Sequence, residues 1–182
     1  MRFSKSDYIQ KRREIVGKYG PGIKSQVLPV LPHYEAIRVL EARGAELQKE
    51  REKRDINRNE IALHVCGYWG LKSSFARNNI IQRMESSDYF THFLVPRING
   101  RGQGRVFFGI PVVYLHTSLR TADYAALLGY DEDRQKALFE DLKKGIPNLL
   151  FAPSPLQPYQ KGVSRPLEHV SFEEQLRQRG LV

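Results

Sequence analysis

The sequence has a single cysteine, Cys66. With one thiol no intramolecular disulfide framework forms, which excludes a small secreted disulfide scaffold and points to a reducing compartment. There is no run of about eighteen apolar residues, so no transmembrane segment is expected. The first residues contain no apolar core of a secretory signal, so none is expected there. Nucleotide-enzyme signatures are also missing: no Gly-Lys-Ser/Thr occurs, and the glycine-rich stretch Asn99-Gly100-Arg101-Gly102-Gln103-Gly104-Arg105 leads into a β-type run rather than a helix N-terminus. Its glycine spacing does not fit a kinase-type loop either, and no lysine follows in the next strand. Neither a Gly-x-Ser-x-Gly elbow nor a carboxylate pair in an apolar setting is found. His64-Val65-Cys66 puts two metal-binding types close together, and His92 could approach His116 across a hairpin. The paired short spacings of a four-ligand zinc site are absent. No catalytic residue, metal, cofactor or small-molecule substrate is therefore assigned, and the chain is expected not to be an enzyme.

What is present is charge and length. The 182 residues carry a net charge of +9, and 27% of them are charged. A positive excess attracts phosphate-bearing partners through steering and counterion release. Residues 2–24 hold Arg2, Lys5, Lys11, Arg12, Arg13, Lys18 and Lys24 against Asp7 and Glu14. Such a start fits an RNA-facing arm, and it is also weakly similar to a mitochondrial presequence. A second cationic group comprises Lys72, Arg77, Arg97, Arg101 and Arg105. Arginine forks onto phosphate or stacks on an exposed base. The expected RNA-binding set is therefore Lys11, Arg12, Arg13, Lys72, Arg77, Arg97, Arg101 and Arg105. The aromatics Tyr68, Trp69, Phe75, Tyr89, Phe90, Phe93, Phe107 and Phe108 could offer stacking platforms, but most of them are expected in the core, because aromatic strand residues usually pack.

The patterning predicts three regions. Residues 1–32 form a basic helix (4–19), stopped by Gly20-Pro21-Gly22, and an extended piece with Pro29 and Pro32. Residues 33–145 begin with one long helix (33–60), whose stripe Ile37, Leu40, Gly44, Leu47 gives way to a segment polar all round. A short helix from Ser73 or Ser74 to about Met84 follows. Residues 89–116, the longest aromatic and β-branched run, are expected to be a central β-hairpin with an arginine-bearing tip, apolar on both faces. Two helices then start near Ser118 or Thr121 and at Asp131–Asp133. The second runs to about Lys144 and buries Ala137, Leu138 and Leu142. Residues 146–182 are a proline-rich extended arm, then a helix opened by the capping box Ser171-Phe172-Glu173-Glu174. The fold class expected is α+β: mostly helical, with a central long β-hairpin or small antiparallel sheet and extended N- and C-terminal arms.

The segment Tyr130-Asp-Glu-Asp-Arg134-Gln-Lys136-Ala-Leu138-Phe139 resembles the Tyr-x-Glu-Asp-Arg-x-basic-x-x-Phe segment of an accessory protein family of the mitochondrial small ribosomal subunit. The His-Pro that tends to follow there is replaced by Lys143-Lys144-Gly145-Ile146-Pro147. No functional residue is carried over. The resemblance implies a place in a mitochondrial ribosome. The layout implies an assembly too, because apolar extended arms need burial to offset the entropy of ordering. Together they predict a structural subunit of a mitochondrial-matrix ribonucleoprotein that contacts rRNA and neighbouring proteins. A soluble accessory subunit of a respiratory complex or ATP synthase is the alternative, and an enzyme with an unrecognised site is the third possibility.

Overall fold

The computed structural model describes Gln10 and residues 34–71, 74–86, 106–107, 110–145 and 149–182. These residues form a helical body: α1 (Tyr34–Lys53), α2 (Arg58–Val65), α3 (Ser74–Glu85), α4 (Val112–Leu127), α5 (Glu132–Gly145) and α6 (Phe172–Gln178). The α+β expectation is corrected. The only strand pairing among the described residues is two residues long on each side, Val106–Phe107 against Ile110–Pro111, in antiparallel register Val106↔Pro111 and Phe107↔Ile110. Helix α4 starts directly after it, at Val112, so residues 112–116 of the expected second strand are helical. The β-propensity of Val112 and Val113 is overridden here, as a weak local preference readily is. The expected first strand and tip (89–105) and the N-terminal region to residue 33, Gln10 apart, lie outside the described residues.

Helix α4 is the axis of the body. Residues 121–128 are all buried, with Ala122, Tyr124, Ala125 and Leu127 fully so. A helix buried all round needs neighbours on every side. These are supplied by α2, α3, α5 and the C-terminal segment, which share one core that includes Leu40, Ile61, Ile81, Met84, Leu127 and Phe139. A smaller cluster joins Leu115 and Leu119 of α4 to Leu176 of α6. No helix among the described residues is long and apolar enough to cross a membrane.

The expected single helix over 33–60 is divided. Helix α1 ends at Lys53, and Asp55 takes a left-handed conformation (φ 53°). Ile56 then turns into the core, 3% exposed, and Asn57 caps α2. The cap is a full box. Asn57 Oδ1 accepts the Asn59 N–H at 2.8 Å, and Glu60 Oε2 accepts the Asn57 N–H at 2.7 Å. Nor is the end of α1 polar all round. The stripe Leu40–Gly44–Leu47 continues with Arg51, which is 6% exposed. Gly44 marks the crossing with α3: a Cβ there would lie 2.5 Å from the Glu85 carbonyl oxygen. Only glycine allows that approach. In α5, Leu138, Phe139 and Leu142 are buried, whereas Ala137 faces solvent, against expectation.

Residues 149–170 have no helix or strand, yet they are docked. Leu149, Ala152 and Tyr159 are buried. The Tyr159 N–H donates to the Leu127 carbonyl at 2.9 Å, and the Leu167 N–H to the His64 carbonyl at 2.7 Å. Prolines leave this backbone few donors, so a few donors placed on helix-end carbonyls hold it while its apolar side chains supply the burial. The chain itself therefore covers its C-terminal arm. The capping serine predicted for the last helix is in place, with Ser171 Oγ accepting the Glu174 N–H at 3.2 Å.

Candidate functional site

Seven of the eight basic residues read as RNA-binding, Lys11, Arg12, Arg13, Lys72, Arg97, Arg101 and Arg105, lie outside the described residues. Arg77 is placed on α3 by its backbone, and its side chain lies outside the description. What the body does establish is where the excess charge is not. Residues 34–71 hold seven Lys/Arg and seven Asp/Glu, and residues 106–182 hold nine of each. Residues 1–33 hold seven against two, and residues 72–105 six against two. The whole excess of nine positive charges is therefore carried by two stretches, and the rest of the chain is neutral.

Within the body, charge is paired in two buried hubs. The first is Glu85, the last residue of α3. Its Oε1 accepts Arg51 Nε at 2.6 Å and the Tyr124 hydroxyl at 2.5 Å, and its Oε2 accepts Arg51 Nη2 at 3.2 Å. Arg58 Nε stands 3.5 Å from Oε2. Arg51 Nη1 donates onward to the Ile56 carbonyl at 2.8 Å, which fixes the turn between α1 and α2. Burial, reinforced by the Glu85 charge, holds the Tyr124 hydroxyl far above its ordinary pKa. The phenol is therefore a fixed donor rather than an acid. The second hub is Asp123, fully buried on α4. It pairs with Arg179, accepts Trp69 Nε1 at 2.9 Å and accepts the Ser154 hydroxyl at 2.6 Å. Arg179 Nη1 also donates to the Leu119 carbonyl at 3.3 Å. One carboxylate thus ties α4 to the α2–α3 turn, the arm and the end of α6. The carboxylate of each hub is held by protein donors from several elements, so each network ties separate parts of the chain together.

No nucleophile or metal site emerges among the described residues. The Cys66 thiol donates to the Leu63 carbonyl at 3.6 Å rather than to an imidazole. The His64 ring meets Tyr159 edge-on with centroids 5.1 Å apart, and burial lowers its pKa. No group of three His, Cys, Asp or Glu residues among the described residues could hold a metal ion.

One cleft, of about 320 Å³, combines flat rings with an unanswered cation. It lies between the Tyr68–Gly70 turn, His116, Leu119 and Arg120 of α4, and residues 169–175. The rings of His116 and Phe172 pack with centroids 4.3 Å apart. Arg120 sits 6.0 Å from the Trp69 ring centroid, and its Nη2 donates to the Trp69 carbonyl at 3.5 Å. Its Nε is buried without an acceptor among the described residues. Burial, helped by the Arg120 charge, pulls His116 down to about 4, so the ring is neutral at physiological pH. Sequence reasoning did not single out Arg120, because only the long-range docking of residues 169–175 makes a cleft around it. A larger hollow, of about 490 Å³, opens beside the α1–α2 turn, where the exposed Asp55 and Lys161 pair at 2.8 Å.

The segment Tyr130–Phe139 is the α4–α5 corner and the first turns of α5. Tyr130 is buried, donates to Glu46 Oε1 at 2.9 Å and is covered by the Arg134 guanidinium 3.8 Å above its ring. Asp131 Oδ1 accepts the Arg134 N–H at 2.9 Å and so caps α5. Each of these residues has a local folding role. No family model, curated protein or solved structure matches the chain.

Proposed function

We propose that this chain is a non-catalytic structural subunit of a large ribonucleoprotein, a mitochondrial ribosome, in which it contacts rRNA and neighbouring proteins from the matrix side. The observation that carries the reading is the segregation of charge. The net excess of nine positive charges is confined to residues 1–33 and 72–105, the second of which includes α3, and the remaining residues are balanced in number. A protein that is basic merely for solubility has no need to confine its excess to two stretches. A protein that grips a polyanion gains from it, because each phosphate neutralised releases condensed counterions. The likeness of Tyr130–Phe139 to a mitochondrial small-subunit accessory family supports the same reading. The carboxylates held within the hubs and the backbone-bound thiol give an enzyme reading no support.

The test is sedimentation of an organellar lysate with and without RNase, following this chain. The reading expects co-migration with a large particle that collapses on RNase treatment. Migration with a detergent-solubilised membrane complex, indifferent to RNase, would replace it with an accessory subunit of a respiratory complex or ATP synthase.

A further inference from the structure

The geometry points to the cleft around Arg120 as a binding site for one nucleotide unit, with its phosphate on the Arg120 guanidinium and its base against the His116–Phe172 wall. The inference rests on residues of the neutral body and holds whether or not the two basic stretches grip RNA.

Arg120 carries the first part of the argument. No carboxylate among the described residues pairs with it, whereas Arg43, Arg51 and Arg179, two of which also have a buried Nε without an acceptor, each have one. Of its five N–H groups, Nε is buried without an acceptor and Nη2 has one backbone carbonyl at the 3.5 Å limit. A partly desolvated guanidinium so short of acceptors is costly unless something else supplies them. A phosphate does this best, because its oxygens match the guanidinium fork.

The walls carry the second part. Trp69, His116, His169 and Phe172 all line the cleft, so a flat ligand meets aromatic surface beside the cation. Bases stack on aromatic and imidazole rings whatever their sequence. His116 is uncharged at neutral pH and offers a ring without adding a second cation. The volume, about 320 Å³, stands at the small end of ligand sites and suits one nucleotide rather than a dinucleotide cofactor. Among the described residues no carboxylate lines the cleft to repel the phosphate.

Trp69 is the sole tryptophan, so its emission reports the cleft directly. The full chain is titrated with adenosine monophosphate, with adenosine and with a short oligoadenylate. The inference expects a saturable change in Trp69 emission with the monophosphate, and one at least tenfold weaker with adenosine, which lacks the charge-assisted bonds of the phosphate. Arg120→Gln weakens monophosphate binding about tenfold or more, while Arg120→Lys, which keeps the charge and loses the fork, falls between. His169→Ala, on an exposed wall residue, weakens binding without touching the core. Arg101→Glu with Arg105→Glu leaves the monophosphate titration unchanged, which separates this site from the basic stretches. A stronger response to oligoadenylate than to the monophosphate, equally sensitive to Arg120→Gln, assigns the cleft to a residue of a strand; equal responses assign it to the free nucleotide. Absence of a saturable response to both phosphate-bearing probes overturns the inference. So does an Arg120→Gln protein that melts cooperatively and binds as tightly as the parent.

Discussion

The neutral helical body and the two basic stretches spend their charges in opposite ways. In residues 34–71 and 106–182, seven and nine cations are matched in number by acids, and the most buried cations, Arg51 and Arg179, sit in hydrogen-bonded pairs, Arg51 with Glu85 of α3. In residues 1–33 and 72–105 thirteen cations face four acids. Paired charges inside a fold serve the fold, since the desolvation of each ion must be offset by its partner. A net excess of one sign concentrated in a stretch favours a partner of opposite sign. The account therefore expects substitutions to separate: those in the two buried hubs change stability and leave RNA affinity alone, and those in the basic stretches do the reverse.

The largest effect on stability is expected at Asp123. Asp123→Asn leaves the fully buried Arg179 guanidinium without its counter-charge and costs about 3–5 kcal/mol in urea melts. The arm and α6 should loosen first, as protease sensitivity within residues 149–182. A melt unchanged by this substitution would show that the arm is held by apolar contacts alone.

Next comes the acid limb. The folded His116 is held to about 4 from an ordinary 6.5. The unfolded chain therefore binds the extra proton between those values. Stability from this group is complete above about pH 6.5 and is lost as pH falls toward 4, by up to about 3 kcal/mol. His116→Phe should flatten that part of the stability–pH curve relative to the parent. An identical acid limb in both proteins would place the loss elsewhere, for example in the carboxylate hubs.

A smaller loss is expected for Gly44→Ala. Replacing a helix glycine would by itself stabilise by about 1 kcal/mol. Against that, the new Cβ lies 2.5 Å from the backbone oxygen of Glu85, and such overpacking costs about 1–3 kcal/mol. Because the obstacle is backbone, the clash prevails, and α1 and α3 must move apart. A stabilised variant would mean that this crossing is looser than described.

The same division explains what was legible in the sequence. Local signals were readable: the Ser171 cap, the start of α5 at the acids, and the core positions Leu40, Leu47, Leu138 and Leu142. Interactions across long sequence distance were not. Arg51 looks like one more charge on a solvated face until Glu85, thirty-four residues on, is seen to receive it. The break at residues 54–57 was hidden for the same reason, although Asn57 and Glu60 spell out a capping box that could have flagged it. The hairpin expectation failed at residues 112–116 because periodicity in a short apolar run does not separate a strand from a helix buried all round. The Arg120 cleft could not be read in advance, since its walls come from three segments that only the docked C-terminal region brings together. The charge segregation, in contrast, is written in the sequence alone and needed only the outline of the body to be noticed.

The smallest effect on stability, and the largest on binding, is expected in the basic stretches, and it provides the decisive measurement. RNA affinity of the full chain is measured against salt for the parent, for Arg101→Glu with Arg105→Glu, and for Lys49→Glu with Lys53→Glu on the exposed face of α1. The account predicts that the first pair lowers affinity and reduces the slope of log affinity on log salt by about 1.4, or 0.7 per lost phosphate contact, with the melting midpoint unchanged. The second pair should leave both affinity and slope near the parent. Equal losses from the two pairs would contradict the claim that the basic stretches, rather than the exposed face of α1, grip the nucleic acid.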